Sequence, residues 1–292
     1  MERTLASLAT AELPPSYAGV LVVENGERGG ASRVVAACPP SIRAEYLHIP
    51  RRGKCAALNA AVGRTSGSLV VFADDDVRFD RGTLVAYAAA AQQDPSGAYF
   101  GGPFGVDCEV PPPDWLRDYL PASAVGWELA DGREGHTFIG FNWAAFADDI
   151  LAAGGFCERI GPGAQTGCSV GDETELQRRL RARGLRGRYV PEARVFHFVP
   201  PERCSPEWAI ERAYRSGIAS AMLRSLARKR VLGYPPWLVR RAAADALRVA
   251  YATLFGDAHT SYAARFAWAK SRGRLVGTAR RRAGESQCDN HL

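Results

Sequence analysis

Lysine is almost missing from this chain. Lys54, Lys229 and Lys270 are the three among 37 basic residues, and arginine supplies the rest of a formal net charge of +6. Cysteine is present but unpaired in sequence: Cys38, Cys55, Cys108, Cys157, Cys168, Cys204 and Cys288 contain no CxxC pair. An odd, dispersed set argues against a disulfide framework and against a zinc cluster, so reduced thiols in a cytoplasm are expected. No apolar run reaches the roughly 18 residues that span a bilayer. Met1 is followed at once by Glu2 and Arg3, which is not the start of an apolar leader. No helix-turn-helix, zinc-finger or aromatic RNA-binding signature accompanies the positive charge, so no nucleic-acid partner is expected. The arginines read as a solvated surface, with attraction to the phosphates of a nucleotide or of a lipid surface as the sharper alternative.

What is present is a globular composition, 47% hydrophobic and 23% charged over 292 residues, long enough for one large α/β domain or two small ones. Apolar runs alternate with helical stretches in the front two-thirds. Ala18–Val23, Tyr46–Ile49, Ser68–Ala73 and Ala98–Gly101 read as strands, and Arg194–Val199 as an extended run. Cys55–Val62, Asp80–Gln93 (Asp80 as N-cap), Asn142–Ala153 and Asp172–Arg183 read as helices. This order predicts an α/β fold with a largely parallel sheet, in which ligands bind at the C-terminal ends of the strands. The segment 103–135 reads as an irregular excursion and Gly161–Gly171 as a glycine-rich loop. Beyond Pro206 the chain reads as helical, interrupted at Gly233–Pro236.

Four places hold candidate chemistry. Asp74-Asp75-Asp76 follow a buried strand directly. Adjacent carboxylates repel one another unless a cation joins them, and oxygen ligands of this kind suit Mg²⁺ or Mn²⁺ with substrate phosphates completing the shell. The bland alternative is a solvated acidic turn. Gly53-Lys54 open a helix, where a lysine adds charge to an end that already attracts anions; many helices start this way without function. Asp172, Glu173 and Glu175 crowd another helix start, either complementing its dipole or offering a general base for a hydroxyl. His197 lies between apolar neighbours, which fits a core histidine as well as a ligand.

Taken in order, these motifs resemble glycosyltransferase family two, of the GT-A fold. The carriers are VVENGE at Val22–Glu27, GKCAALN at Gly53–Asn59, FADDDV at Phe72–Val77 and GFNWAAF at Gly140–Phe146. GGF at Gly154–Phe156, GDETELQRRL at Gly171–Leu180 and YVPEARVFH at Tyr189–His197 complete the set. The resemblance implies a mostly parallel sheet flanked by helices over residues 1–204 and a helical extension over 205–292. It implies Glu24, Asn25, Lys54, Asn59, Asp74 and Asn142 as substrate-binding residues. Asp74, Asp76 and His197 would hold Mg²⁺ or Mn²⁺, and Glu173, with Asp172 as rival, would be the catalytic base. The expected partners are a nucleotide-diphosphate sugar and a glycan or lipid-linked acceptor. The implied reaction is inverting transfer in polysaccharide, glycolipid or cell-envelope glycan synthesis. A QxxRW motif is absent, with ERAYRSG at Glu211–Gly217 in its place, which implies a non-processive enzyme.

Two further expectations follow, the first from that resemblance and the second from the tryptophans and arginines of the extension. Family members begin with a strand that lies centrally, between those at Ala18–Val23 and Ser68–Ala73, and here that strand is missing before the first helix. The two strands should therefore flank a gap or close up. The extension from Ser205 to Arg282, with Trp208, Trp237 and Trp268, either lies partly on a membrane surface, giving peripheral contact at the inner face, or packs as ordinary helices. A non-catalytic nucleotide-sugar-binding protein and a sugar-nucleotide nucleotidyltransferase are the rival functions; the latter should carry a glycine- and arginine-rich loop after its first strand, and none is found.

Overall fold

The computed structural model describes residues 1–129, 137–223, 231 and 233–283, so Lys229, Cys288 and part of the 103–135 excursion lie outside the described residues. In chain order the elements of the front half are α1 (Glu2–Thr10), β1 (Val20–Asn25), α2 (Ala31–Ala36), β2 (Ala44–Ile49), α3 (Lys54–Val62), β3 (Leu69–Phe72), β4 (Val77–Phe79), α4 (Thr83–Gln93), β5 (Ala98–Gly101), β6 (Phe104–Cys108), α5 (Asp114–Arg117) and α6 (Ala122–Val125). Then come β7 (Trp143–Phe146), α7 (Ala147–Ala152), α8 (Asp172–Ala182), β8 (Arg186–Tyr189), β9 (Val195–Val199), α9 (Pro206–Met222), α10 (Pro236–Phe255) and α11 (Ala258–Arg282). They divide into two compact units. The first comprises Met1–Glu109, Ala122–Glu158 and Asp172–Pro200; the second comprises Val110–Pro121, Arg159–Gly171 and Pro201–Leu292. The last stretch of the second unit begins at Pro201, and that unit also includes two excursions from the front of the chain.

The first unit is built on a four-stranded sheet in the order β3-β7-β5-β8. Alternation along the strands sorts its side chains onto two faces, as a pleat requires. Phe72, Tyr99, Trp143 and Ala145 pack with Phe138, Phe156, Leu176 and Leu180 on one face. Phe100 and Ala144 pack with Tyr87, Ala90 and Ala91 of α4 on the other. β4-β9-β6 form a second sheet and β1-β2 a third. The fold is α/β as expected, and its pairings are mixed. β1–β2, β5–β8 and β6–β9 are parallel, whereas β3–β7, β5–β7 and β4–β9 are antiparallel.

Several local expectations are corrected. Asn142–Ala153 is not one helix: its first part is the central antiparallel strand β7, whose Trp143 and Ala144 are buried. Burial on both faces selects the strand there, although the alanines would suit either state. Asp80 is not the cap of α4; Gly82 is, with no side-chain cap bond. The 103–135 excursion contains β6, α5 and α6, and the short β4 and β8 had no reading of their own. The thiol expectation holds at Cys38, Cys55, Cys108, Cys168 and Cys204 but fails at Cys157, which is disulfide-bonded. Dispersion along the chain says nothing about proximity in space.

β1 and β3, the two strands expected to flank a gap, do not pair with one another and belong to separate sheets. Leu5 and Leu8 of α1 share one hydrophobic cluster with Val35, Ile42 and Leu84, against which Val20 and Val22 of β1 and Val71 of β3 also pack.

In the second unit α9 and α11 pack at close range through glycines. A Cβ on Gly273 would sit 2.0 Å from the Tyr214 carbonyl oxygen, and one on Gly217 would sit 2.3 Å from that of Lys270. Helix backbones approach this closely only where side chains are missing. α10 and α11 meet over a buried Asp245, which accepts from Arg241 at 3.0 Å, Arg248 at 3.2 Å and Ser271 at 2.7 Å.

Candidate active site

The candidate residues that come together all belong to the first unit, at strand ends and helix starts. The triple aspartate forms the turn between β3 and β4. Lys54 is the first residue of α3, entered through Gly53 at φ +126°, and its Nζ lies 2.5 Å from Asp74 Oδ1. Burial pulls the ammonium pKa down, but the neighbouring carboxylates, Asp74 first and then Asp172 and Glu173, outweigh this and hold it above the usual lysine range. One cation thus balances the turn after β3 and the start of α8.

Asp172 and Glu173 stand side by side at that helix start. Burial raises the pKa of both. The Asp172 charge pushes Glu173 further, to about 7 from an ordinary 4.5. Asp172 is 5% exposed. Glu173 is half-buried, accepts from the Thr174 hydroxyl at 3.1 Å, and has Oε2 beside Gly140, where a Cβ would lie 3.4 Å away. Glu175 is excluded as a base, since Arg179 grips both of its oxygens at 2.6–2.8 Å.

His197, on β9, is 5% exposed and lies in register opposite Val77. Its Nδ1 donates to the Ser123 carbonyl at 2.7 Å, and its ring stacks on Phe141 at 4.5 Å. That fixes Nε2 toward Asp76, 3.5 Å from Oδ2. A ring nitrogen held by a backbone carbonyl on its far side is the arrangement used by metal-binding histidines. The expected three-residue cluster is nevertheless not assembled. Among the described residues no group of three or more His, Cys, Asp and Glu side chains could hold a metal ion. Asp74 is turned onto Lys54, because a carboxylate among carboxylates takes the nearest cation. The donors present fit a divalent cation in part: an Asp76 oxygen and the oriented Nε2 of His197.

Three other expected binding residues are occupied by the fold. Glu24 accepts from the Gly29 amide at 2.5 Å and from the Tyr46 hydroxyl at 2.6 Å, and these bonds lower its pKa, the hydroxyl first. Asn59 brackets Phe156, donating to its carbonyl at 2.9 Å and accepting from its amide at 2.7 Å. Asn142, 1% exposed, accepts from Tyr87 and donates to the Pro103 and Ala193 carbonyls, all at 2.8–2.9 Å. Short polar motifs carry no signal that separates a ligand contact from a backbone clamp. Asn25 stays near the site, accepting from the Gly53 amide at 3.1 Å. Asn142→Ala is expected to cost on the order of 3 kcal/mol by orphaning buried groups, with the donor KM of the folded enzyme little changed. Unaltered urea melting with a raised KM would instead give Asn142 a role in donor binding.

Sequence reading missed the supports: the Ser123 carbonyl and Phe141 behind His197, Thr174 beside Glu173, and the Arg179 clamp. Phe141 and Thr174 stand inside the quoted motifs, whereas no sequence signal marks Ser123.

The model of the family described as glycosyl transferase family 2 matches residues 1–151. The chain belongs to glycosyl transferase family 2. It is a glycosyltransferase. The family match covers Lys54 and the aspartate turn and ends before α8 and β9. A relative, the succinoglycan biosynthesis protein ExoM of Rhizobium meliloti (strain 1021), is 26% identical over 222 residues, covering 74% of this chain and 69% of its own. Among solved structures, the mannosyltransferase PcManGT from Pyrobaculum calidifontis in complex with GDP-Man and Mn²⁺ is similar at a TM-score of 0.57 and 21% identity, covering 94% of this chain and 82% of its own. That likeness shows the GT-A glycosyltransferase fold.

Proposed function

We propose that this family 2 glycosyltransferase moves a sugar from a nucleotide-diphosphate donor to a hydroxyl of a glycan or lipid-linked acceptor, with inversion, in polysaccharide assembly. The observation that carries the reading is the Glu173 carboxyl. It is half-buried, its pKa is raised to about 7, and it belongs to the same charge cluster as Lys54 and Asp74. A base poised near neutrality, beside a cation suited to a diphosphate, is what hydroxyl activation and diphosphate departure require. The succinoglycan relative supports the polysaccharide context.

Glu173 takes the proton of the acceptor hydroxyl as its oxygen attacks the anomeric carbon. The bond from that carbon to the diphosphate oxygen breaks, and its electron pair leaves with the nucleoside diphosphate. Attack from the face opposite the leaving group inverts the centre. Lys54 exchanges Asp74 for a phosphate oxygen, and Asn25 lies at the β1 end where the nucleotide rests. Asp76 and His197 would hold Mg²⁺ or Mn²⁺, with Asp74 once released. When bound, the cation stabilises charge on the departing diphosphate. The PcManGT complex, solved with Mn²⁺, supports that assignment.

The test is a panel of UDP-, GDP- and dTDP-sugars incubated with the full chain, with Mg²⁺, Mn²⁺ or a chelator. Metal-dependent transfer or slow donor hydrolysis is expected with one nucleotide class. Neither transfer nor donor hydrolysis under any of these conditions, with a glycan acceptor present, would count against the metal-assisted Glu173 mechanism.

A further inference from the structure

Glu173 stands among groups that pull its proton both ways. Burial favours the neutral acid, and so does the negative charge of Asp172 beside it. The two carboxyls also share a hydrogen bond, with Asp172 accepting. A carboxyl donates only while it holds its proton, so this bond too favours the protonated form of Glu173. On the other side stand the Glu173 amide, the Thr174 hydroxyl and the Lys54 ammonium, in that order, all favouring the carboxylate. The amide belongs to the backbone of α8. Lys54 is bound to Asp74 at 2.5 Å and acts on Glu173 through space. Thr174 is different: its side chain bonds directly to the carboxyl, with Oγ1 3.1 Å from Oε1. Thr174 is half-buried, which shields that bond in part from competing water.

A pinned strand of chain lies along the other side of the carboxyl. Oε2 is beside Gly140, where a Cβ would be 3.4 Å away. One turn further along α8, the fully buried Gln177 accepts from the Phe138 amide at 2.8 Å and donates to the Phe138 carbonyl at 3.1 Å. Asn142 ties the far end of this segment to the Pro103 and Ala193 carbonyls. Residues 138–142 contain no titratable side chain. Among the described residues, the titratable groups acting on Glu173 are therefore Asp172 on its own helix and Lys54 and Cys55 on α3. Cys55 is kept a neutral thiol chiefly by burial. Glu175, on the same helix, is taken up by Arg179.

We propose that Thr174 is the positioning residue of the transfer base: its hydroxyl holds Oε1, keeps Glu173 an ionised proton acceptor against the pull of Asp172, and leaves Oε2 on the side of Gly140. The inference rests on Glu173 as the base and adds the residue that sets when the base is available. Without the hydroxyl, burial and Asp172 gain, and Glu173 holds its proton to higher pH. A hydrogen bond to an ionised group shifts an equilibrium by about tenfold or more, so the expected displacement is about one pH unit.

Two substitutions separate the hydroxyl from the packing. Thr174→Val keeps the shape and removes the hydroxyl, whereas Thr174→Ser keeps the hydroxyl and removes a methyl. The full chain labelled with ¹³C-glutamate is titrated by carbon NMR, and the Glu173 carboxyl signal is the one that Glu173→Gln deletes. This readout needs no turnover. The midpoint should lie near 7 in the wild type, about one unit higher in Thr174→Val, and close to the wild-type value in Thr174→Ser. The pH limb of metal-dependent donor hydrolysis should move with it, leaving Thr174→Val about tenfold slower on the acid side of neutrality. Equal midpoints in wild type and Thr174→Val overturn the proposal. A midpoint displaced in Thr174→Ser but not in Thr174→Val overturns it as well, making Thr174 a packing residue. A midpoint that moves in Thr174→Val while the rate limb stays overturns the reading of Glu173 as base, and the catalytic role of Thr174 with it.

Discussion

Glu173→Gln should lower the transfer rate by about 10²–10⁴, the usual effect of removing a general base, while donor binding changes little. Glu173→Asp keeps a carboxylate with shorter reach and should retain part of the rate. The pH dependence separates a catalytic role from a structural one. With its pKa raised to about 7, chiefly by burial and then by Asp172, Glu173 becomes competent as pH rises through neutrality. The wild-type rate should climb below 7 and level above it, and the residual rate of the Gln variant should lack that limb. Stability runs the other way. A carboxyl whose pKa is raised on folding contributes stability that is fully present below 4.5 and is lost as pH rises through about 7. The Gln variant should therefore gain on the wild type between these values, by on the order of 1–3 kcal/mol at pH 8. A fully active Gln variant would transfer the base role to Asp172.

Arg179→Met should destabilise the first unit strongly, by about 3–5 kcal/mol. The Glu175 side chain is 1% exposed and its partner 14%. Besides gripping that carboxylate, Arg179 donates to the carbonyls of Ala153 and Gly155. The substitution leaves the buried carboxylate with Arg178 alone, at 3.8 Å, and frees the Gly154–Phe156 turn, which Asn59 holds from its other side. Replacing both partners, as in Glu175→Leu/Arg179→Met, should lose less than the single change, because the orphaned charge goes with its partner. Urea unfolding of the three variants measures this; additive losses would mean the pair acts only as two independent packing residues.

The fold and the site were legible to different depths. β5 was bounded to the residue, because an apolar run closed by two glycines leaves little choice. β7 was misread because WAAF carries no periodicity, and only burial between β3 and β5 makes it a strand. At the site, Lys54, the aspartate turn and the start of α8 stand out because charges clustered at element ends are costly without a purpose. Asn59, Asn142 and Glu24 stand in equally suggestive motifs and in the fold bond to neighbouring backbone, Glu24 also to the Tyr46 hydroxyl. Whether a polar side chain meets a ligand or a carbonyl depends on what folding brings opposite it, and for Asn59 the opposite residue is Phe156, 97 positions away.

The division between β1 and β3 bears on how the molecule breathes. The central strand β5 is buried at every residue, whereas no residue of β1 is fully buried. Elements with few buried contacts open locally at free energies well below that of global unfolding. The β1–β2 ribbon, packed on α2 and α3, should therefore exchange its amide hydrogens sooner than β5, β7 and α8. Asn25 rides on that ribbon and Glu173 does not. Part of the energy of gripping the nucleotide would then go into ordering the ribbon, so affinity could be tuned by residues such as Val35 of α2, which packs in the same cluster as Val20 and Val22.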